Sequence, residues 1–85
     1  MKTVSTKKFT RQLDGLLRGN KKYSEKVIKV LCLMDFDLKH PSLRIHKLKG
    51  VDVYSASVDM KIRILFMIDG DKIHLLEIGN HDEVY

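Results

Sequence analysis

The last third of the chain, KIRILFMIDGDKIHLLEIGNHDEVY from Lys61 to Tyr85, decides how the rest must fold. Two apolar runs rich in β-branched residues, Lys61–Ile68 and Lys72–Ile78, flank the dipeptide Asp69-Gly70. An Asp-Gly pair between such runs predicts a β-hairpin with a type I′ turn, which needs φ > 0 at both central residues. With Asp69-Gly70 as the loop, Ile68 is expected opposite Asp71, Phe66 opposite Ile73, Ile64 opposite Leu75 and Arg63 opposite Leu76. One face of the hairpin then carries Ile62, Ile64, Phe66, Ile68, Ile73 and Leu75, an apolar surface that must be covered. Lys61, Arg63, Leu65, Met67 and His74 point the other way. After Gly79 the polar tail Asn80 to Tyr85 leaves the sheet at the end that holds Lys61 and Arg63, so an imidazole, a phenol and a guanidinium are expected at one rim.

Working back towards the start, Val51–Val58 is the strand that joins this hairpin. A three-residue loop, Asp59 to Lys61, pairs Val58 with Ile62 and Ala56 with Ile64. That register puts Tyr54, Ala56 and Val58 on the apolar face and Ser55 and Ser57 beside Arg63, whereas an even-length loop would bury the serines and expose the apolar set. Leu38–Gly50 is expected to be a loop, since Pro41 forbids helix continuation. Ahead of it, Ser24 is the expected N-cap of a helix with a Val27, Ile28, Val30, Leu31 and Met34 stripe, with Lys22, Lys26 and Lys29 opposite and Asp35-Phe36-Asp37 at its close. Cys32 on that helix is read as a small core or boundary residue, because nothing beside it would activate a thiol. Phe9, Leu13, Leu16 and Leu17 have the spacing of a preceding amphipathic helix from Lys7, with Gly19-Asn20 as a left-handed stop. Lys2–Thr6 is expected to be an edge strand.

The resulting order is β-α-α-β-β-β, an α+β fold in which a helical hairpin covers one face of a small, mainly antiparallel four-stranded sheet. The other face, with Ser55, Ser57, Lys61, Arg63 and His74, is expected to stand open to water or a ligand. A length of 85 residues allows one domain, 1–85, and 44% hydrophobic with 32% charged residues fits a soluble globular protein. No apolar run approaches the ~20 residues of a membrane span, and Met1 to Thr10 lacks the apolar region of a signal peptide. One cysteine makes no internal disulfide, so a cytoplasmic setting is expected. The net charge of +5 is uneven: residues 1–40 hold ten Lys or Arg against four Asp or Glu, and residues 41–85 six against seven. Such a basic surface steers polyanions or an acidic protein towards it.

The element order, the His-Pro-Ser-Leu…His-Lys-Leu-Lys-Gly loop, the Arg-Ile-Leu-Phe strand and the terminal Ile-Gly-Asn-His-Asp-Glu-Val-Tyr resemble the RelE/ParE superfamily of bacterial toxins from type II toxin–antitoxin systems, nearest the YafQ-like branch. The likeness spans the chain. It implies a toxin that acts as an mRNA endoribonuclease, usually in the ribosomal A site, and is held inactive by an antitoxin. By the same resemblance the catalytic residues are His46, from the H-x-L-x-G loop; Arg63, from the central strand; and His81 with Tyr85, from the tail. RelE-like toxins carry lysines, and YafQ-like ones an acid and a histidine, where this chain has Ser55, Ala56 and Ser57; Lys47 and Lys49 beside His46 would supply positive charge, with Lys61 a further RNA contact. An acidic antitoxin, mRNA and the ribosome are the implied partners.

The residues themselves suit that chemistry. Metal-free RNA cleavage needs a base for the ribose 2′-hydroxyl, an acid for the leaving 5′-oxygen and cations for the phosphorane. His46 and His81 would be the acid–base pair, Arg63 would hold the phosphate, and Tyr85 would stack on a base or bond the phosphate. His40 and His74 are read as structural. No His/Cys/Asp cluster has ligand spacing and no glycine loop cradles phosphates, so neither metal nor cofactor is expected. Two other readings stay open: a ParE-like inhibitor of DNA gyrase, and a catalytically inactive, toxin-derived binding module.

Overall fold

The structure is a computed structural model that describes residues 2–80. In chain order it holds β1 (Lys2–Ser5), α1 (Lys7–Gly19), α2 (Lys22–Phe36), a 3-10 turn (Pro41–Leu43), β2 (His46–Lys47), β3 (Tyr54–Ser57), β4 (Ile62–Asp69) and β5 (Lys72–Asn80). The strands form one five-stranded sheet in the order β1-β5-β4-β3-β2. Only β1 and β5 run parallel; the other pairs are antiparallel. The fold is therefore α+β, with five strands rather than the expected four. The extra strand lies in Leu38–Gly50, expected to be a loop, where two residues pair with the edge of β3. So short a strand has no periodicity for a sequence to display.

Both helices lie on one face of the sheet. Phe9 of α1 and Val27, Val30 and Met34 of α2 pack with Ala56, Ile62, Ile64, Phe66, Ile73, Leu75 and Ile78 of the strands. Each Val, Leu, Ile, Phe or Met side chain so enclosed contributes about 1.5–3 kcal/mol relative to exposure. Tyr54 stacks on Phe66 with centroids 5.6 Å apart. Ile28, expected in the stripe of α2, is 58% exposed. It lies one residue, and so about 100° of helix, away from the Val27, Val30 and Met34 line. Ile68, expected on the covered face, is also exposed at the turn end of β4. Cys32 is exposed as well, which corrects its reading as a core or boundary residue.

The helix ends differ in detail from expectation. Thr6 caps α1 by accepting from the Phe9 N–H, and the helix stops at Asn20 in extended rather than left-handed geometry. Ser24 lies inside α2; the side chain of Asn20 accepts from the Lys22 N–H at 3.0 Å instead. β1 pairs with β5 only as far as Leu75. Past that point α1 closes the edge: Thr6 donates to the Leu75 carbonyl through both N–H and hydroxyl, and Gln12 Oε1 accepts from the Ile78 N–H at 3.0 Å.

The β3–β4 register is the expected one, with Ala56 opposite Ile64, Ser57 opposite Arg63 and the Val58 N–H donating to Ile62 O at 2.9 Å. The β4–β5 register is not. Asp69 pairs with Lys72, so the loop is Gly70-Asp71, and Gly70 alone of the two has positive φ, at +60°. That is the type II′ pattern: it asks positive φ of one glycine, whereas type I′ on Asp69-Gly70 would ask it of an aspartate too. Ile68 therefore faces Ile73 rather than Asp71, and Phe66 faces Leu75 rather than Ile73. The slip equals the side-chain period of two, so these residues keep their faces. A bulge then leaves Leu76 unopposed, which sets Ile64 opposite Ile78 and Arg63 opposite Gly79.

Candidate functional site

Alternation along the strands assigns the face away from the helices. By register, His46 of β2, Ser55 of β3, Leu65 of β4 and Glu77 of β5 form one row across it. The next row holds Ser57, Arg63 and Gly79. Arg63 Nη1 donates to Ser55 Oγ at 3.4 Å, a diagonal reach between the rows. The structure thus gathers His46, Ser55 and Arg63 into one corner of the sheet. Glycine opposite Arg63 leaves that flank without a side chain. Glu77 is engaged by Lys8 at 3.0 Å.

This face is not wholly open, as the sequence suggested. Ser55 is 0% and Leu65 4% exposed, while His46 is exposed and Arg63 half-buried. Leu65 is closed to solvent, whereas Met67 is 39% exposed. Lys47 alternates to the helix side of β2, opposite Tyr54, and its ammonium meets Asp52 at 3.2 Å. Lys49 and Lys61 are exposed, the first in the turn after β2 and the second just ahead of β4. His81 and Tyr85 lie outside the described residues. His40 Nδ1 accepts from the Ser42 N–H at 3.2 Å and so caps the 3-10 turn. His74 Nε2 lies 3.7 Å from Asp69 Oδ2.

Asp59 sets the loop that leads into Arg63. Its Oδ1 accepts from the N–H groups of both Lys61 and Ile62 at 2.8 Å, and Lys26 Nζ lies 3.5 Å from Oδ2. Burial pushes this carboxyl up, but the Ile62 and Lys61 N–H groups and the Lys26 ammonium outweigh it and hold the pKa below its ordinary value. The carboxylate fixes where β4 begins and therefore where Arg63 points.

Sequence reasoning missed Arg44. It ends the 3-10 turn with φ of +46°, the one non-glycine positive φ among the described residues. It lines a cleft of about 490 Å³ together with Ser42, Ser57, Val58, Asp59, Met60 and Arg63. No local pattern announces this, since only the packing of the turn beside β3 brings residue 44 near residue 63. Among the described residues, no group of three or more His, Cys, Asp or Glu is placed to hold a metal, and no helix is long and apolar enough to cross a membrane.

The sequence matches no protein-family model and no curated relative. Solved structures do match along nearly the whole chain. A metal-bound toxin from Helicobacter pylori superposes with a TM-score of 0.84 at 20% identity, over 100% of this chain and 99% of the other. In the Escherichia coli DinJ–YafQ complex a chain superposes with a TM-score of 0.82 at 13% identity, over 98% and 96%. The fold is that of these toxins. The YoeB–YefM complex from Staphylococcus aureus extends the likeness, with a TM-score of 0.72 at 18% identity over 95% and 97%. The toxin fold in this chain keeps two helices on a mixed five-stranded sheet, with the His46, Ser55 and Arg63 corner on the face the helices leave uncovered.

Proposed function

We propose that residues 1–85 form the toxin of a type II toxin–antitoxin system, acting in the cytoplasm as an endoribonuclease on ribosome-bound mRNA. The observation that carries this reading is the corner itself: His46 stands opposite Ser55 by register, and Ser55 accepts from Arg63. An imidazole and a guanidinium on one face of a sheet are groups that in-line attack by a ribose hydroxyl uses. In the proposed reaction His46 takes the proton of the 2′-hydroxyl, and the 2′-oxygen bonds to phosphorus. The bond from phosphorus to the 5′-oxygen breaks, and His81 returns a proton to that oxygen. The products are a 2′,3′-cyclic phosphate and a 5′-hydroxyl. Arg63 bonds the phosphoryl oxygens as charge builds, Tyr85 stacks on a base, and Lys49 and Lys61 hold the strand electrostatically, Lys47 being turned to the helix side and paired with Asp52.

The partner in this reading is an acidic antitoxin, in keeping with DinJ and YefM, which occur in complexes with chains of this fold. A disordered acidic segment that folds on binding would wrap the lysines of α1 and α2 and anchor on Met67. The second reading, inhibition of DNA gyrase in the manner of ParE, draws on one observation. Among the residues of β3 on the uncovered face there are only Ser55 and Ser57, with no lysine or histidine. The deciding experiment incubates ribosome-bound mRNA with the protein and maps the cuts, with gyrase supercoiling measured alongside. Cuts with cyclic phosphate ends support the first reading. Lost supercoiling without cuts supports the second, and neither effect would leave an inactive binding module.

A further inference from the structure

The cleft between Arg44 and Arg63 has donors that its own walls do not use. Ser57 Oγ donates to the Asp59 carbonyl at 2.8 Å, and Ser42 Oγ lies 2.7 Å from His40 Nδ1. The Asp59 carboxylate is held by two N–H groups and Lys26. Among the described residues no carboxylate lies within 4.0 Å of either guanidinium. Two cations facing one cleft repel each other unless an anion sits between them. Arg44 is also held in place at a backbone conformation that side chains disfavour. Its N–H donates to Pro41 O at 3.1 Å and the preceding Leu43 is fully buried, so the root of the side chain is fixed.

The occupant can be narrowed. At about 490 Å³ the cleft is larger than one phosphate, and within its mainly polar lining the half-buried Val58 forms an apolar wall. A phosphate with its sugar and base uses both kinds of surface: the planar guanidinium takes two phosphoryl oxygens, and the apolar wall takes the ribose and base. We infer that this cleft binds a nucleotide of single-stranded RNA adjacent to the one cut, with Arg44 holding its phosphate. The inference rests on the endoribonuclease reading for its substrate. Arg44 is then a positioning residue, aligning the strand so that the next phosphate meets Arg63.

The test uses Arg44→Gly, which removes the guanidinium yet suits a φ of +46° and so should melt no lower than the parent protein. A short 2′-O-methyl RNA, which lacks the attacking hydroxyl, reports binding apart from cleavage. The Arg44→Gly protein should bind it about tenfold more weakly, the effect of one lost charge-assisted contact. Its slope of log affinity against log salt should be shallower by about 0.7, one phosphate for a single strand. With cleavable RNA the KM should rise while kcat changes less, the opposite of Arg63→Ala, and Arg44→Lys should restore part of the affinity. Unchanged affinity and salt slope in a folded Arg44→Gly protein would overturn the inference. So would a loss confined to antitoxin binding, which would make the cleft a seat for a protein carboxylate. If the parent protein cuts no RNA but Arg44→Gly still lowers binding, the subsite stands and the endoribonuclease reading falls.

Discussion

Arg63 Nη1 donates to Ser55 Oγ at 3.4 Å, across two strands whose register is set by a three-residue loop. Ser55 is fully buried, so its hydroxyl tethers the guanidinium to β3. If Arg63 stabilises the transition state, Arg63→Ala should cost about 3–4 kcal/mol in kcat/KM, as removal of one oxyanion donor does, with a smaller change in RNA affinity. Ser55→Ala should lower the same rate by less, because the arginine stays but loses its tether. Single-turnover cleavage beside binding of uncleavable RNA measures both. Equal losses of affinity and rate for Arg63→Ala would make it a docking residue.

His46→Ala and His81→Ala should each lower cleavage about 10²–10⁴-fold, the usual worth of one general acid or base. His46 is exposed at a sheet edge, so its removal should leave the melting temperature within a few degrees of the parent. His81 lies outside the described residues, and thermal melts of the variant serve as its folding control. Full cleavage by either folded variant at neutral pH would remove that histidine from the mechanism.

Asp59 ties stability to acidity. Its folded pKa lies below the ordinary carboxylate value, so the unfolded chain takes up this proton first as pH falls. The stabilisation is therefore complete above the ordinary value of 3.8 and is lost as pH drops through the lower folded pKa. Asp59→Ala should cost about 1–2 kcal/mol at neutral pH, comparable to losing a helix cap. The gap to the parent should narrow as pH falls below 3.8 and Asp59 takes up its proton. Denaturant melts at several pH values read this directly, and a gap that widens in acid would contradict it.

Salt should slow antitoxin association. Exposed Lys22 and Lys29 on α2 act through a field screened beyond ~8 Å at physiological ionic strength. Lys22→Glu or Lys29→Glu should slow stopped-flow association at low salt only. Lys26→Glu should also lower stability, since Lys26 is paired with Asp59 at 3.5 Å. An association rate indifferent to salt and to both clean reversals would place docking on apolar contacts such as Met67.

What the sequence determined by itself was whatever depends on neighbours along the chain. Phe9, Leu13 and Leu16 mark one helix and Val27, Val30 and Met34 the next, and the alternation of Tyr54, Ala56 and Val58 settles which face of β3 is covered. A loop of odd length then left one β3–β4 register that buries these residues and not the serines. Tertiary structure alone decided the rest. The turn at Gly70-Asp71 and the bulge at Leu76 set Arg63 opposite Gly79, because the strands settle where the core packs and Gly70 takes the positive φ. The two-residue β2 exists only because β3 offers an unpaired edge, and that pairing turns His46 and Lys47 to opposite faces. Arg44 reaches the cleft of Arg63 for a similar reason: a turn between α2 and β2 packs beside β3, a contact that no periodicity in the chain encodes.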